Sequence, residues 1–156
     1  MTVATKNAKV LLVEDSRLLR IANERALARA GYEVSTAADG LEALRVANEK
    51  LPDIILLDML LPLLSGPEVL HALKKNPATM AIPVIVLTSL SQQNAERLIQ
   101  EGAEAYFEKS TLNLDKNSDS LATTVETVLL RCNQRKQRKV PAPALGLRPQ
   151  VSGKPQ

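Results

Sequence analysis

Residues 52–66 read PDIILLDMLLPLLSG, and the run Ile54-Ile55-Leu56-Leu57 ending at Asp58 decides how the rest of the chain is read. Four consecutive apolar residues with no polar alternation are what a strand looks like when both faces of its sheet are covered, the usual state of a parallel sheet flanked by helices. Pro52 stands just before the run. Beyond it, Gly66-Pro67 suits entry into a helix, because a proline in the first turn gives up an N–H that has no partner there. Val69, Leu70 and Leu73 then supply an apolar face, and Asn76-Pro77 ends it.

Working outward, the same alternation of short and long apolar patterns repeats. Val10 to Val13 reads as a strand and about 16–30 as a helix, with Leu19, Ala22, Ala26 and Ala30 on one face and Gly31 as its stop. Glu33 to Ala37 is a second strand, and Asp39-Gly40 offers an N-cap for a helix carrying Leu41, Leu44 and Ala47. Past the third pair, Pro83 to Leu87 is another unbroken apolar run, Gln92 to Glu101 a fourth helix and Ala105 to Phe107 a short fifth strand. A last helix near 118–135 carries Leu121, Val125, Val128 and Leu129. The order is (βα)5, which implies an α/β doubly wound parallel five-stranded sheet with helices on both faces through right-handed crossovers.

A chain of 156 residues, 45% hydrophobic and 24% charged, has the size and composition of one globular domain. Aromatic residues at 2% leave the core to aliphatic side chains and argue against base-stacking surfaces. The net charge of +3 conceals an asymmetry: residues 131–156 hold seven of the 20 Lys and Arg and none of the 17 Asp and Glu. The body is therefore acidic and the end of the chain basic, and the pI near 9.1 does not by itself indicate nucleic-acid binding. No DNA-reading motif accompanies the basic run. The expected division is a domain over 1–136 and a basic, proline-rich, disordered tail over 137–156. Cys132 is the only cysteine, which excludes an intramolecular disulfide and a cysteine-based zinc site. With neither a signal-like start nor a run of the roughly 18 apolar residues a membrane helix needs, the expected location is cytoplasmic.

In an open parallel sheet, ligands bind beyond the carboxyl ends of the strands. The residues expected there are Glu14-Asp15 after the first strand, Asp58 after the third, Thr88-Ser89 after the fourth and Lys109 after the fifth. Carboxylates gathered on one rim repel, and a hard divalent cation such as Mg²⁺ relieves that repulsion. An ammonium and a hydroxyl beside them suit a phosphoryl group. Individually each residue has a plainer reading: Glu14-Asp15 as a helix cap, Thr88 satisfying backbone, Lys109 solvated, Tyr106 packing on an edge strand, His71 on a helix surface.

The ordered set Glu14-Asp15, Asp58, Thr88, Tyr106 and Lys109 resembles the bacterial two-component response-regulator receiver family, to which CheY belongs. So do the stretches VLLVEDS at 10–16, IPVIVLTS at 82–89 and GAEAYFEKS at 102–110. The resemblance covers about 8–131 and implies the strand order 2-1-3-4-5. It implies that Asp58 is phosphorylated and that Glu14, Asp15, Asp58 and the Leu60 carbonyl serve Mg²⁺. Lys109 and Thr88 would hold the phosphoryl oxygens, and Thr88 with Tyr106 would form the switch. The implied partners are a sensor histidine kinase or a histidine phosphotransfer protein and a downstream protein target; homodimerisation is left open. Such a protein is a phosphoacceptor, not an enzyme that turns over substrate.

Three positions depart from the family's habit. Ser110 follows Lys109 where a proline, often after a cis bond, is usual, and Leu60 and Leu90 are aliphatic where many relatives carry polar side chains. The two leucines imply slow loss of phosphate, since neither orients an attacking water. Other readings of the fold are a phosphate-independent interaction module, one binding through its basic tail, and an aspartyl-phosphate hydrolase. The last usually needs a second Asp where Leu60 stands.

Overall fold

The computed structural model describes residues 7–88, 92–109 and 114–139, without the side chains of 92–95, 114–118 and 137–139. Five strands, β1 (Lys9–Val13), β2 (Glu33–Ala37), β3 (Ile54–Asp58), β4 (Val84–Thr88) and β5 (Ala105–Glu108), alternate with five helices, α1 (Arg17–Arg29), α2 (Gly40–Lys50), α3 (Gly66–Lys75), α4 (Gln92–Gln100) and α5 (Leu114–Lys139). The sheet order is β2-β1-β3-β4-β5, with every neighbouring pair parallel. This is the doubly wound architecture that the sequence pattern and the resemblance imply.

The continuous apolar runs have the expected cause. On β1, β3 and β4 alternate residues feed two separate cores. Leu11, Val13, Ile55, Leu57, Val84 and Val86 join the core that includes Val69, Leu73 and Leu98, on the side of α2, α3 and α4. Val10, Leu12, Ile54, Leu56, Ile85 and Leu87 join the one that includes Leu27, Leu121 and Val125, under α1 and α5. A strand buried on both sides has no room for polar alternation.

The helix starts are set by short polar side chains. Ser16 caps α1 and accepts from the Leu19 N–H at 3.3 Å, while Asp39 caps α2 and accepts from the Glu42 N–H at 2.7 Å. Ser65 and Glu68 form a reciprocal capping box at α3. Gly31 follows α1 with φ +100°, the left-handed conformation expected of a stop, and Leu51 ends α2 with φ 46°.

Several bounds differ from the sequence reading by a residue, and those of the last helix by more. Pro83 precedes β4, where its carbonyl accepts from the Ile55 N–H at 3.0 Å. The last helix is longer at both ends than the expected 118–135. Residues 137–139, placed with the tail by composition, are helical, because Gln, Arg and Lys are good helix formers and the first proline comes only at Pro141. The tail from residue 140 lies outside the described residues.

One close approach ties α2 to the loop after β3. A Cβ on Gly40 would lie 2.1 Å from the backbone oxygen of Leu64. Gly40→Ala is therefore expected to destabilise the fold by about 1–3 kcal/mol, the usual range for forced overpacking, measured as a lowered urea midpoint with unchanged slope.

Candidate functional site

Side-chain alternation also decides which strand-end residues meet. Glu14 continues the Val10, Leu12 series, Asp58 the Ile54, Leu56 series, and Lys109 the series of Ala105 and Phe107, which pack against the same core. All three therefore lie on the α1/α5 side of the sheet, at its carboxyl edge. Lys109 Nζ is 3.0 Å from Asp58 Oδ2 and 3.0 Å from Glu14 Oε1. Its hydrogen bond to Glu14 goes to Oε2, at 3.3 Å. Glu14 and Asp58 are buried, at 0% and 2% exposure, and Asp15 is exposed beside them.

Backbone contacts hold these groups in place. The Leu60 N–H donates to Asp58 Oδ1 at 3.1 Å, and the Ser16 N–H to Glu14 Oε2 at 3.1 Å. Arg20 Nη1 donates to the Glu14 carbonyl oxygen at 2.8 Å and to that of Asp15 at 3.4 Å, pinning the turn that presents both acids. Behind Asp58, a Cβ on Gly66 would lie 2.5 Å from the Asp58 backbone oxygen, so the start of α3 approaches the acid as closely as a glycine allows.

The electrostatics follow from this crowding. Burial and then the neighbouring Asp58 push the Glu14 carboxyl up to about 7, although Lys109 and the Ser16 N–H pull the other way. Burial lowers the Lys109 pKa, but hydrogen bonding and charge pairing with Glu14 and Asp58 outweigh it and the net shift is upward.

The donor set fits a hard divalent cation. Glu14, Asp15 and Asp58 each offer a carboxylate oxygen, and these atoms lie within 4.8 Å of one another. Glu14 Oε1 is buried and accepts no hydrogen bond, although the Lys109 ammonium lies 3.0 Å away; a metal or a metal-bound water would complete its surroundings. Three acids facing one lysine leave an excess of negative charge for Mg²⁺ to balance.

The family profile of the response regulator receiver domain matches residues 10–117. The chain belongs to that family. Receiver domains are phosphoacceptors of two-component signalling and typically bind Mg²⁺ at such an acidic pocket. This receiver is 41% identical over 101 residues to the polar-differentiation response regulator DivK of Brucella anthropi, a match covering 64% of this chain and 82% of DivK. It is also 41% identical over 114 residues to the gliding motility regulatory protein of Myxococcus xanthus, covering 72% of this chain but spanning only 14% of that longer protein. Among solved structures, the chemotaxis response regulator CheY4 of Vibrio cholerae superposes with a TM-score of 0.71 at 34% identity, over 78% of this chain and 98% of that one.

The other residues singled out in the receiver's sequence are placed as follows. Thr88 is buried at the end of β4, one position beyond Leu87, which pairs with Asp58. By alternation it faces the α2/α3/α4 side, as does Tyr106, which is 38% exposed on β5. Leu60 is 68% exposed at the rim. His71 is exposed on α3. Ser89, Leu90 and Ser110, and with Ser110 the question of a cis bond after Lys109, lie outside the described residues. No described helix is long and apolar enough to cross a membrane. Sequence reasoning missed Arg20, whose reach back to the β1–α1 turn leaves no local pattern, and Asn23, a buried polar residue on α1.

Because the folded protein holds Glu14 at about 7 against an ordinary 4.5, its proton is bound more tightly folded than unfolded. The stability that this group contributes is full below about pH 4.5 and is lost as pH rises through about 7. Glu14→Gln is expected to flatten that slope in metal-free protein. Parallel urea titrations from pH 4.5 to 8 with EDTA test this; an unchanged slope would refute it.

Proposed function

We propose that Asp58 accepts a phosphoryl group from the phosphohistidine of a sensor kinase or phosphotransfer protein in the cytoplasm, and that the chain signals by a phosphorylation-dependent protein contact. The observation that carries this reading is the Lys109 ammonium held between two buried carboxylates, with Asp58 at the sheet edge. In the transfer, an Asp58 carboxylate oxygen attacks phosphorus in line. The O–P bond forms as the P–N bond breaks, and the electron pair returns to the imidazole nitrogen. Lys109, already directed at Asp58, pairs with the transferring oxygens, and Thr88 supplies a hydroxyl from the neighbouring strand. Glu14, Asp15, Asp58 and the Leu60 carbonyl would hold Mg²⁺, which when bound neutralises charge on the phosphoryl group.

The added charge, approaching −2 as on other phosphorylated side chains, biases the packing of Thr88 at the end of β4 and, through it, of Tyr106 on β5. Output is a changed surface presented by the domain over 1–136, with the basic segment 137–156 attached to it. A phosphate-independent module would have no use for a buried Glu14 oxygen without a hydrogen bond, and a hydrolase would lack an acid at Leu60.

Intact mass after incubation with acetyl phosphate and Mg²⁺ is expected to rise by one phosphoryl group, and not to rise in Asp58→Ala or with EDTA. No gain in folded wild type would overturn the acceptor reading. Leu60→Asn, which adds a polar group at the rim, is expected to shorten the phosphate half-life severalfold, followed by the decay of the phosphorylated mass after the donor is removed.

A further inference from the structure

Asn23 is 5% exposed in the middle of α1, on a face otherwise buried through Ala26 and Leu27. A carboxamide in such a place costs stability unless its polar atoms are used, and an apolar side chain of similar shape would suit the surroundings better. Asn23 has a partner within the fold, and its carboxamide, with two N–H donors and a carbonyl oxygen, is able to hold several at once.

Asn23 lines a cavity of about 10 Å³ together with Glu14 and Lys109. Leu19, Leu87 and Phe107 form part of its walls, and its polar groups come from Glu14, Asn23 and Lys109. That volume is at the lower limit of what one water occupies, and a buried water needs two to four polar partners. Glu14 Oε1 accepts no hydrogen bond. Lys109 hydrogen-bonds Glu14 Oε2 and Asp58 Oδ2 and lies 3.0 Å from Glu14 Oε1 without a hydrogen bond to it.

We infer that Asn23 is a positioning residue for the Glu14–Lys109 pair, acting through one water bound in this cavity. The water accepts the third Lys109 N–H, donates to Glu14 Oε1 and is anchored by the Asn23 carboxamide. It thereby fixes the rotamer of Lys109, so that the ammonium is already aimed at Asp58 when a donor arrives. Asn23 touches no reacting atom. The effect on rate rests on the acceptor reading given above; the bound water does not.

The test compares wild type, Asn23→Leu and Asn23→Ser. Asn23→Leu removes the anchor while keeping the branched shape, and its phosphorylation by saturating acetyl phosphate is expected to fall about tenfold, as when outer partners of a charged site are lost. The half-saturating donor concentration should not change. Asn23→Ser keeps a polar group in a looser core, so it should be less stable than Asn23→Leu yet react faster. A purely structural role predicts instead that rates follow stabilities across the three proteins, and that result, or a wild-type rate in Asn23→Leu, overturns the inference.

A high-resolution crystal structure of the metal-free wild type should show an ordered water within hydrogen-bond distance of Glu14 Oε1 and Asn23, lost in Asn23→Leu. A dry cavity overturns the inference whatever the rates. If wild type takes no phosphate, the acceptor reading fails, and the presence or absence of the water decides the role of Asn23 by itself.

Discussion

The arrangement depends on one partly buried ammonium. Glu14 and Asp58 are drawn out of water at the carboxyl edge of the sheet, with Asp15 beside them, and Lys109 is the cation that contacts both buried acids. One positive charge against three carboxyl groups is not a balanced site. Without a metal, the deficit appears as a proton retained on Glu14 near neutral pH. A divalent cation would supply what is missing, and the cation and Lys109 are the groups an incoming phosphoryl group requires. The instability of the metal-free cluster and its fitness for phosphoryl chemistry have a single electrostatic origin.

The fold determines which groups share that environment. Because successive residues of a strand face opposite sides, Glu14, Asp58 and Lys109 converge on the α1/α5 side, while Thr88 and Tyr106 face the other helices. Thr88, at the carboxyl end of β4 beside Asp58, thus stands at the rim where the two sides of the sheet meet. In the proposed reading a charge placed on Asp58 would act through the end of β4, where Thr88 lies one residue past the partner of Asp58. The Lys109 N–H donating to the Thr88 carbonyl oxygen at 2.9 Å joins the two at backbone level.

The sequence made the sheet legible because parallel strands covered on both sides must be apolar without interruption, and Ile54–Leu57 and Val84–Leu87 are. The site acids were legible for a related reason: a carboxylate or ammonium at the end of such a run has few places to go except the strand edge. Other features were out of reach. Neither the 2.1 Å approach that requires glycine at position 40 nor the clamp of Arg20 on two carbonyl groups follows from local pattern. The Ser65/Glu68 capping box was visible as a spacing and went unread, the neighbouring Gly66-Pro67 having taken the role of start signal. Asn23 reads as an ordinary helix residue until the burial of its face is known. The length of α5 was underestimated because charge, not apolar periodicity, carries its last turns.

That last point changes how the basic end of the chain is to be understood. Residues 131–139 carry five Lys and Arg with no acid, which in isolation suggests an anionic partner. They occupy the C-terminal turns of a helix, where positive charge is favoured by the unpaired carbonyl groups and the helix dipole. Arg135, moreover, is ion-paired with Glu104 just ahead of β5. Part of the basic run therefore has a partner within the domain, and the charge left for an external one is smaller than composition implies. Beyond the helix only Arg148 and Lys154 follow, so the basic charge is concentrated in the last turns of α5. The weight of the functional reading accordingly falls on the acidic edge of the sheet.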